Sequence, residues 1–433
     1  METGGPQLPF RDVLILTQYY APEPGAPQIR LRNMARELQR LGVNVRVITG
    51  MPNYPLGKVH PEYRGRLTCS ELRDDVSVRR VWLYPAAGRG SVKRLANYLS
   101  FSFAALPALL GTRRPDLVFV EAQPVTLALT AWLASRLRGI PYVYNSPDLQ
   151  IEVADEAGWI GAGLLIRAAR RLESFLMRQA LAVSTVTHAF MEYFIEHRRV
   201  PRDRMTFLPN GADTERLRPL PRDLAYAESL GVGGKTVFTY AGTHAHYQGL
   251  EVILEAAKLL RHREDILILM VGHGPMRAAL EQEARSSGLT NVLFRESPFE
   301  EMPRLMSLTQ ASLVVLRDIP AATRMRLSKA VPPLACGVPV IYAGKGETAE
   351  IIAREGCGVA VEPERPERLA AAIERLAGDQ AARDEMGRRG RALVERDLAW
   401  RTLVQDWTRQ IARVAEGKSP GIPSLAECRQ HPA

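Results

Sequence analysis

The sequence predicts an α/β fold built from two successive doubly wound parallel-sheet domains, and three observations carry that expectation. A chain of 433 residues is too long for one ordinary core and suits two domains of roughly 200 residues each. Short apolar runs alternate with amphipathic helical segments, as strands buried on both faces of a parallel sheet require. The alternation stops at a turn-rich break near residues 209–222 and then starts again.

In chain order, residues 13–16 read as the first strand and 29–41 as a helix ending at Gly42. Strands follow at 45–48, 117–120, 142–144 and 181–185, with helices at 126–137 and 164–179. After the break, strands are expected at 237–240, 266–269, 292–294, 313–316 and 338–341, with helices between them. The expected organisation is a first domain over 1–215 and a second over 216–399. A helix over 400–416 returns to the first domain, and a disordered tail spans 417–433. With two such domains in one chain, the cleft between them is the expected active site.

Composition narrows the function. With 46% hydrophobic and 24% charged residues, the chain has the balance of a soluble globular protein. The four cysteines, Cys69, Cys336, Cys357 and Cys428, are widely spaced and include no Cys-x-x-Cys. A reducing cytosol is therefore expected, with no structural zinc and no disulfide framework. The N-terminal residues lack an apolar signal core, so export is not expected. The net charge of +10 is uneven: residues 1–215 hold 27 Lys and Arg against 20 Asp and Glu, the rest 30 against 27. No nucleic-acid-binding motif accompanies this excess. Anionic membrane lipid, a phosphorylated acceptor or plain surface arginine each accounts for it. The apolar stretch 99–110, flanked by Lys93-Arg94 and Arg113-Arg114, reads either as an interfacial segment or as a buried helix.

The richest segment runs from Arg326-Leu327-Ser328-Lys329 through Leu334-Ala335-Cys336-Gly337-Val338-Pro339-Val340-Ile341 to Gly346-Glu347. A basic loop, a short helix, a buried strand and a second Gly turn place a cation and free N–H groups at the C-terminal edge of a sheet. Open α/β folds bind ligands at that edge, and helix N-termini there favour anions. Nearer the N-terminus, Tyr19-Tyr20-Ala21-Pro22-Glu23-Pro24-Gly25 follows the first strand, and Met51-Pro52-Asn53-Tyr54-Pro55-Leu56-Gly57 follows the second. Gly25 lets backbone approach a ligand. Asp148, in Ser146-Pro147-Asp148-Leu149, either caps the next turn or presents a carboxylate to a substrate. Pro209-Asn210-Gly211-Ala212-Asp213 suggests a turn with positive φ. In the second half, Gly242, then Gln248 and Gly249, and then Gly272-His273-Gly274 stand at strand-to-loop junctions.

These motifs, in this order across nearly the whole chain, resemble the retaining glycosyltransferases of family four, in particular those that build O-antigen and colanic-acid type polysaccharides. The resemblance implies the GT-B architecture and transfer of a sugar from a nucleotide diphosphate sugar to a glycan or lipid-linked acceptor. It also implies retention of configuration and no required metal or other cofactor. The cysteine usage points to a cytoplasmic position, and the basic excess with the segment 99–110 leaves open a peripheral place on the inner face of the membrane. On this resemblance Asp148 and Lys329 are the catalytic candidates. Gly25, Gly242, Gln248, Gly249, Gly272, His273, Gly274, Arg326, Ser328, Glu347 and Glu350 are donor-binding candidates, and Tyr20, Asn53 and Tyr54 face the acceptor.

Two departures stand out. The loop Thr243-His244-Ala245-His246-Tyr247-Gln248 lacks the Arg and Lys that many relatives use to hold the donor diphosphate, leaving the task to Lys329 with Arg324 or Arg326. The family's paired glutamates fall at Arg324 and Pro332. Two rival readings follow: a transferase-like sugar-nucleotide binder without turnover, and a GT-B sugar-nucleotide epimerase using His244, His246 or His273.

Overall fold

The computed structural model describes residues 9–423 apart from 24, 55–56, 87–90, 157–162, 320–322 and 325–327. The chain divides into two compact units after Pro209, and from Leu403 it rejoins the first.

The first unit holds β1 (Asp12–Leu16), β2 (Asn44–Gly50), β3 (Thr68–Arg73), β4 (Val76–Val81), β5 (Leu117–Glu121), β6 (Tyr142–Ser146), β7 (Ala182–Thr185) and β8 (Met205–Phe207). They form one sheet in the order β3-β4-β2-β1-β5-β6-β7-β8. All neighbours are parallel except the β3–β4 hairpin. Every residue of β5, β6 and β7 is buried, which is why their sequences read as unbroken apolar runs. The helices Ala26–Arg40 and Ser91–Leu110 cover the β1–β2–β4 side, and Val125–Arg138 stands beside the second of these. From Leu403, the helix Trp400–Ala415 closes the sheet. Its Trp407 is fully buried, meets Phe119 edge-on at 5.5 Å, and donates from Nε1 to Ser184 Oγ at 2.9 Å.

The second unit holds β9 (Thr236–Ala241), β10 (Ile266–Val271), β11 (Val292–Arg295), β12 (Thr309–Val315), β13 (Val340–Ala343) and β14 (Gly358–Val361). They form a parallel sheet in the order β11-β10-β9-β12-β13-β14. Its two faces carry separate apolar clusters, one around Leu269, Val314 and Tyr342, the other around Phe238, Ile268 and Ile341.

Both sheets reverse winding direction at one place: between β1 and β5 in the first unit, and between β9 and β12 in the second. Ligands of open α/β sheets bind at the C-terminal strand ends beside such a switch point.

Two sequence expectations are corrected. Neither Asn210 nor Gly211 takes positive φ. The chain there is extended, because Ala212 bridges to Ala399: its N–H donates to Leu398 O at 2.8 Å, and its carbonyl accepts from Trp400 N at 3.1 Å. The stretch 99–110 is neither wholly interfacial nor wholly buried. It belongs to the helix Ser91–Leu110, whose Phe101, Ala105, Ala108 and Leu109 are in the core while Phe103 is exposed. No helix among the described residues is long and apolar enough to cross a membrane.

Candidate functional site

In the first unit the loops after β2, β1, β5 and β6 lie side by side along the sheet edge, because those strands are neighbours in that order. A buried carboxylate joins the first two. Glu23 Oε1 accepts from the backbone N–H groups of Asn53 and Tyr54, each at 2.8 Å. Glu23 Oε2 is buried without a partner among the described residues. Burial pushes this carboxyl up to about 7, against the two N–H donors and the charge of Arg80. Gly25 has φ of 146°, and a Cβ there would meet Gln28 Oε1 at 2.5 Å, so the bend into the helix Ala26–Arg40 requires glycine.

The acceptor-side candidates fall into two groups. Tyr20 is 1% exposed and Asn53 4% exposed, its amide donating to Met51 O at 3.0 Å, so both shape the loop from inside. Tyr54 is exposed and edge-on to Tyr19 at 6.0 Å. It is the member of the three that presents a side chain to solvent.

Beyond β5 and β6 stands a second polar cluster. Arg30 and Glu121 pair in the core, and Asn145 donates to Glu121 Oε2 at 2.6 Å. Half-buried Asp148 follows β6. Its Oδ1 accepts from the N–H of the next residue, Leu149, at 2.8 Å. Burial raises its pKa, while that N–H and the nearby charge of Arg30 pull it down. A carboxylate at a strand end that feels a buried guanidinium is held in place and kept partly desolvated, which suits a charge-stabilising role as well as a cap.

In the second unit, the glycines make the edge after β9 and β10 unusually close-packed. A Cβ at Gly272 would fall 2.1 Å from Gly242 O, and one at Gly274 would fall 2.5 Å from His244 O. Gly242 itself is crossed by Lys329, whose Cε would lie 2.5 Å from an added Cβ. Lys329 thus reaches the β9/β12 switch point. Its Nζ donates to Tyr240 Oη at 3.0 Å and sits 5.4 Å from that ring's centre. Among the described residues it pairs with no carboxylate, and burial lowers its pKa to about 7.

Around Lys329 the remaining polar groups are short of partners. The Tyr240 hydroxyl donates to Thr243 O at 2.7 Å. His244 is completely buried and stacks on Tyr240 at 5.6 Å, with both ring nitrogens unpartnered among the described residues. Burial, then the charges of Arg277 and Lys329, hold it near 4, so it is neutral. Gln248, 1% exposed, also leaves Nε2 unpartnered, and Gly249 takes φ of 66° just before the helix Glu251–Leu259. His273 is exposed. A permanent cation does reach this edge, though not from the loop where relatives carry one. Arg277 donates to Gly272 O at 2.7 Å and pairs with Glu281 and Glu296.

Ser328 opens the turn that presents Lys329. Glu347 is buried at the start of the helix Glu347–Glu355, and Glu350 is exposed one turn on. Gly346, with φ of 85°, lies against the backbone of Thr323: a Cβ there would fall 2.1 Å from Thr323 O. Arg326 lies outside the described residues. Pro332 occupies the first turn of the helix Val331–Ala335, where a missing N–H breaks no helical hydrogen bond. Among the described residues no group of three or more His, Cys, Asp or Glu is arranged to hold a metal ion. A depression lined by Tyr142, Gln179, Leu181 and Arg204 opens beside the starts of β6 and β7, the edge opposite these loops.

Sequence reasoning did not assign site roles to Glu23, Arg30, Glu121, Tyr240 or Arg277. Glu23 sits inside a motif already singled out, and Tyr240 ends an expected strand. Arg30, Glu121 and Arg277 become visible only when strand order brings distant segments together.

Residues 25–211 match the family described as glycosyl transferase 4-like domain, and residues 225–393 match glycosyl transferases group 1. The chain belongs to this glycosyltransferase family. The glycosyltransferase is 28% identical over 378 residues to the putative colanic acid biosynthesis glycosyl transferase WcaI of Escherichia coli (strain K12), spanning 83% of this chain and 91% of that one. It is 25% identical over 367 residues to the 2-deoxystreptamine glucosyltransferase of Streptomyces kanamyceticus, spanning 82% and 90%. Its fold matches the sucrose-phosphate synthase of Thermosynechococcus elongatus with a TM-score of 0.72 at 16% identity, over 94% of this chain and all of that one. It also matches the Anabaena protein HepE, solved in complex with UDP-glucose, with a TM-score of 0.69 at 18% identity, over 94% and 99%. The architecture of this glycosyltransferase is therefore GT-B.

Proposed function

We propose that this glycosyltransferase moves a hexosyl-type sugar from a nucleoside diphosphate sugar to a glycan or lipid-linked acceptor, with retention of anomeric configuration, in the synthesis of a cell-surface polysaccharide. The observation that carries the reading is Lys329, a desolvated ammonium at the β9/β12 switch point whose one polar partner among the described residues is the Tyr240 hydroxyl. An ammonium taken out of water without a counter-charge is unfavourable, and a bound diphosphate supplies the missing charge. The unpartnered ring nitrogens of His244 and Nε2 of Gln248 belong to the same polar surroundings. The relatives support the reading: WcaI is described as a putative colanic acid biosynthesis glycosyl transferase, and HepE was solved with UDP-glucose.

In this reading the carbon–oxygen bond to the donor phosphate breaks while the acceptor hydroxyl forms its bond on the same face. The departing phosphate oxygen takes the acceptor's proton. Lys329 offsets the charge that grows on the diphosphate. Gly242, Gly272 and Gly274 let the donor approach backbone, and Gln248, Gly249, His273, Arg326, Ser328, Glu347 and Glu350 are its further contacts. Asp148 steadies positive charge on the sugar, and the Glu23-pinned loop with Asn53, Tyr20 and Tyr54 orients the acceptor. The chemistry requires no metal, and the enzyme works from the inner face of the membrane.

The test is nucleoside diphosphate release from a panel of sugar nucleotides, with and without acceptor, followed by proton NMR of the product's anomeric centre. Acceptor-dependent release with retention is expected. An inverted product refutes retention. Binding without release on any donor selects the non-catalytic binder, and an epimerised sugar nucleotide selects the epimerase.

A further inference from the structure

β4 carries a charge where its pattern calls for an apolar residue. Val76, Val78 and Arg80 alternate along the strand and share its core-facing side. Arg80 is 0% exposed, although an Arg is almost never fully buried unless it is paired. Burying a guanidinium costs desolvation unless its donors are satisfied, so its partners show what it holds.

Two of those partners are the roots of the acceptor loops. Arg80 Nη2 donates to Ala21 O, in the loop after β1, and Nη1 donates to Gly50 O at 3.3 Å, at the end of β2. The next residue, Met51, donates its N–H to Val81 O at 3.0 Å, so the loop after β2 leaves the sheet beside Arg80. Glu23 joins the same two loops further along, through the N–H groups of Asn53 and Tyr54. The loops are thus tied twice, by a guanidinium at their base and by a carboxyl beyond it.

The β3–β4 hairpin keeps that guanidinium in place. Arg80 Nε donates to Glu71 Oε1 at 2.8 Å, and the guanidinium carbon stands 5.2 Å from the centre of the Tyr63 ring. Glu71 Oε2 accepts from Tyr63 Oη at 2.8 Å, while Arg73 donates to Glu71 Oε1 and to Tyr63 Oη, each at 2.8 Å. The donors of a guanidinium point in fixed directions within one plane, so a single Arg sets the placement of two carbonyls. A lysine ammonium carries the charge without the fork. Arg46 makes a comparable pair with Asp12 at 2.9 Å, at the edge of the sheet opposite Tyr20, Asn53 and Tyr54.

We propose that Arg80 is a positioning residue for the acceptor: its fork holds Ala21 O and Gly50 O together and so makes the loops after β1 and β2 one surface, with Tyr54 exposed on it. Arg80 itself is fully buried and touches no substrate. The inference rests on the acceptor role proposed for Tyr20, Asn53 and Tyr54, and adds the residue that sets their geometry. A misplacement of about 1 Å can cost on the order of 10²-fold. Loosening at the base of the loops is therefore enough to be read in the acceptor's KM.

The experiment compares the full-length wild type with Arg80→Lys and Glu71→Gln, and uses Arg46→Lys as the control at the other edge. Hydrogen–deuterium exchange of the free protein, read on peptides over residues 51–54, needs no substrate. Arg80→Lys and Glu71→Gln should speed exchange there by about tenfold or more, and Arg46→Lys should leave it unchanged. Transfer is then measured with octyl glycosides of glucose, galactose and mannose as acceptor probes. The same two variants should raise the acceptor KM roughly tenfold or more, with nucleoside diphosphate affinity as in wild type. Circular dichroism and thermal midpoints check folding, and Glu71→Gln, at a partly exposed residue, serves should Arg80→Lys unfold. Wild-type exchange or wild-type KM in both variants overturns the inference. So does an Arg46→Lys that loosens 51–54 equally, since the effect is then one of global stability. Wild type that transfers to no probe overturns the acceptor reading and the inference resting on it, a failure seen before any variant is made. Tyr54→Ala separates the two further: an unchanged KM there removes the acceptor role of the loop, whereas a raised KM there with Arg80→Lys like wild type removes Arg80 alone.

Discussion

Replacing Lys329 by Met removes the ammonium and keeps the length of the chain that crosses Gly242. One charge-assisted contact to phosphate contributes ~1.5–3 kcal/mol, so the Kd for a nucleoside diphosphate rises roughly 10- to 150-fold. Affinity for the bare nucleoside is unchanged. The lowered pKa, about 7 in the free protein, adds a second signature. A bound diphosphate restores the ammonium's counter-charge and raises that pKa, so binding above pH 7 takes up a proton. Above pH 7, where the terminal phosphate with its second pKa ≈ 6 is already ionised, wild-type affinity falls by up to about tenfold per pH unit. The variant is flat over that range. Stability moves the other way. A lysine whose folded pKa lies below its unfolded value makes the unfolded state bind more protons between about pH 7 and the ordinary 10.5. Wild-type stability therefore gains from this group as pH rises through that window, and Lys329→Met removes the gain. Isothermal titration calorimetry in buffers of different ionisation enthalpy reads affinity and proton uptake together. Equal diphosphate affinities in the two proteins, or a pH-independent wild type, would refute the assignment.

Glu23→Gln keeps an oxygen that accepts the Asn53 and Tyr54 N–H groups, so the fold should survive while the acceptor's KM rises and donor affinity stays constant in steady-state assays. Because burial raises Glu23 to about 7, the wild type loses stability from this group as pH climbs from the unfolded value near 4.5 to 7. Thermal melts of the Gln variant across that window should lack the loss. Asp148→Asn keeps the Leu149 cap acceptor and removes the charge: kcat and kcat/KM fall together, by roughly 10²-fold or more, with nucleotide affinity intact, and an unfolded variant would leave only the cap. Glu347→Gln should weaken nucleoside and nucleoside diphosphate by the same factor in titrations, separating a sugar-recognising carboxylate from the phosphate-specific Lys329.

What the sequence disclosed and what it hid have physical causes. The central strands of both sheets were legible because burial on both faces turns them into unbroken apolar runs such as those of β5 and β10. The hairpin β3–β4 was not. Its outer strand alternates exposed and partly exposed residues, and its turn is Asp74-Asp75, which takes φ of 49° and 61° without the glycine that announces such turns. The edge strand β14 is short and partly exposed for the same reason. Loop glycines were legible because several of these positions tolerate no Cβ: the backbones of Gly242 and Gly272 touch, and Gly346 lies against Thr323. Partners across the sheet were not, since Arg30, Glu121 and Asp148 are brought near one another only by the order β1-β5-β6. The missing cations of the loop after β9 show the difference most clearly. Read along the chain they imply a weakened donor site. In the fold, Lys329 arrives from beyond β12 and brings an ammonium to this edge, while Arg277, from the helix after β10, is already paired with Glu281 and Glu296. Pro332 is harder to offset: its place in the first helical turn is conformationally sound, but no proline can accept a hydrogen bond from a ribose hydroxyl through its side chain. In the proposed reading the carboxylate that recognises the donor comes from another position, and Glu347, buried on the turn that lies against Thr323, is the candidate the Glu347→Gln titration tests.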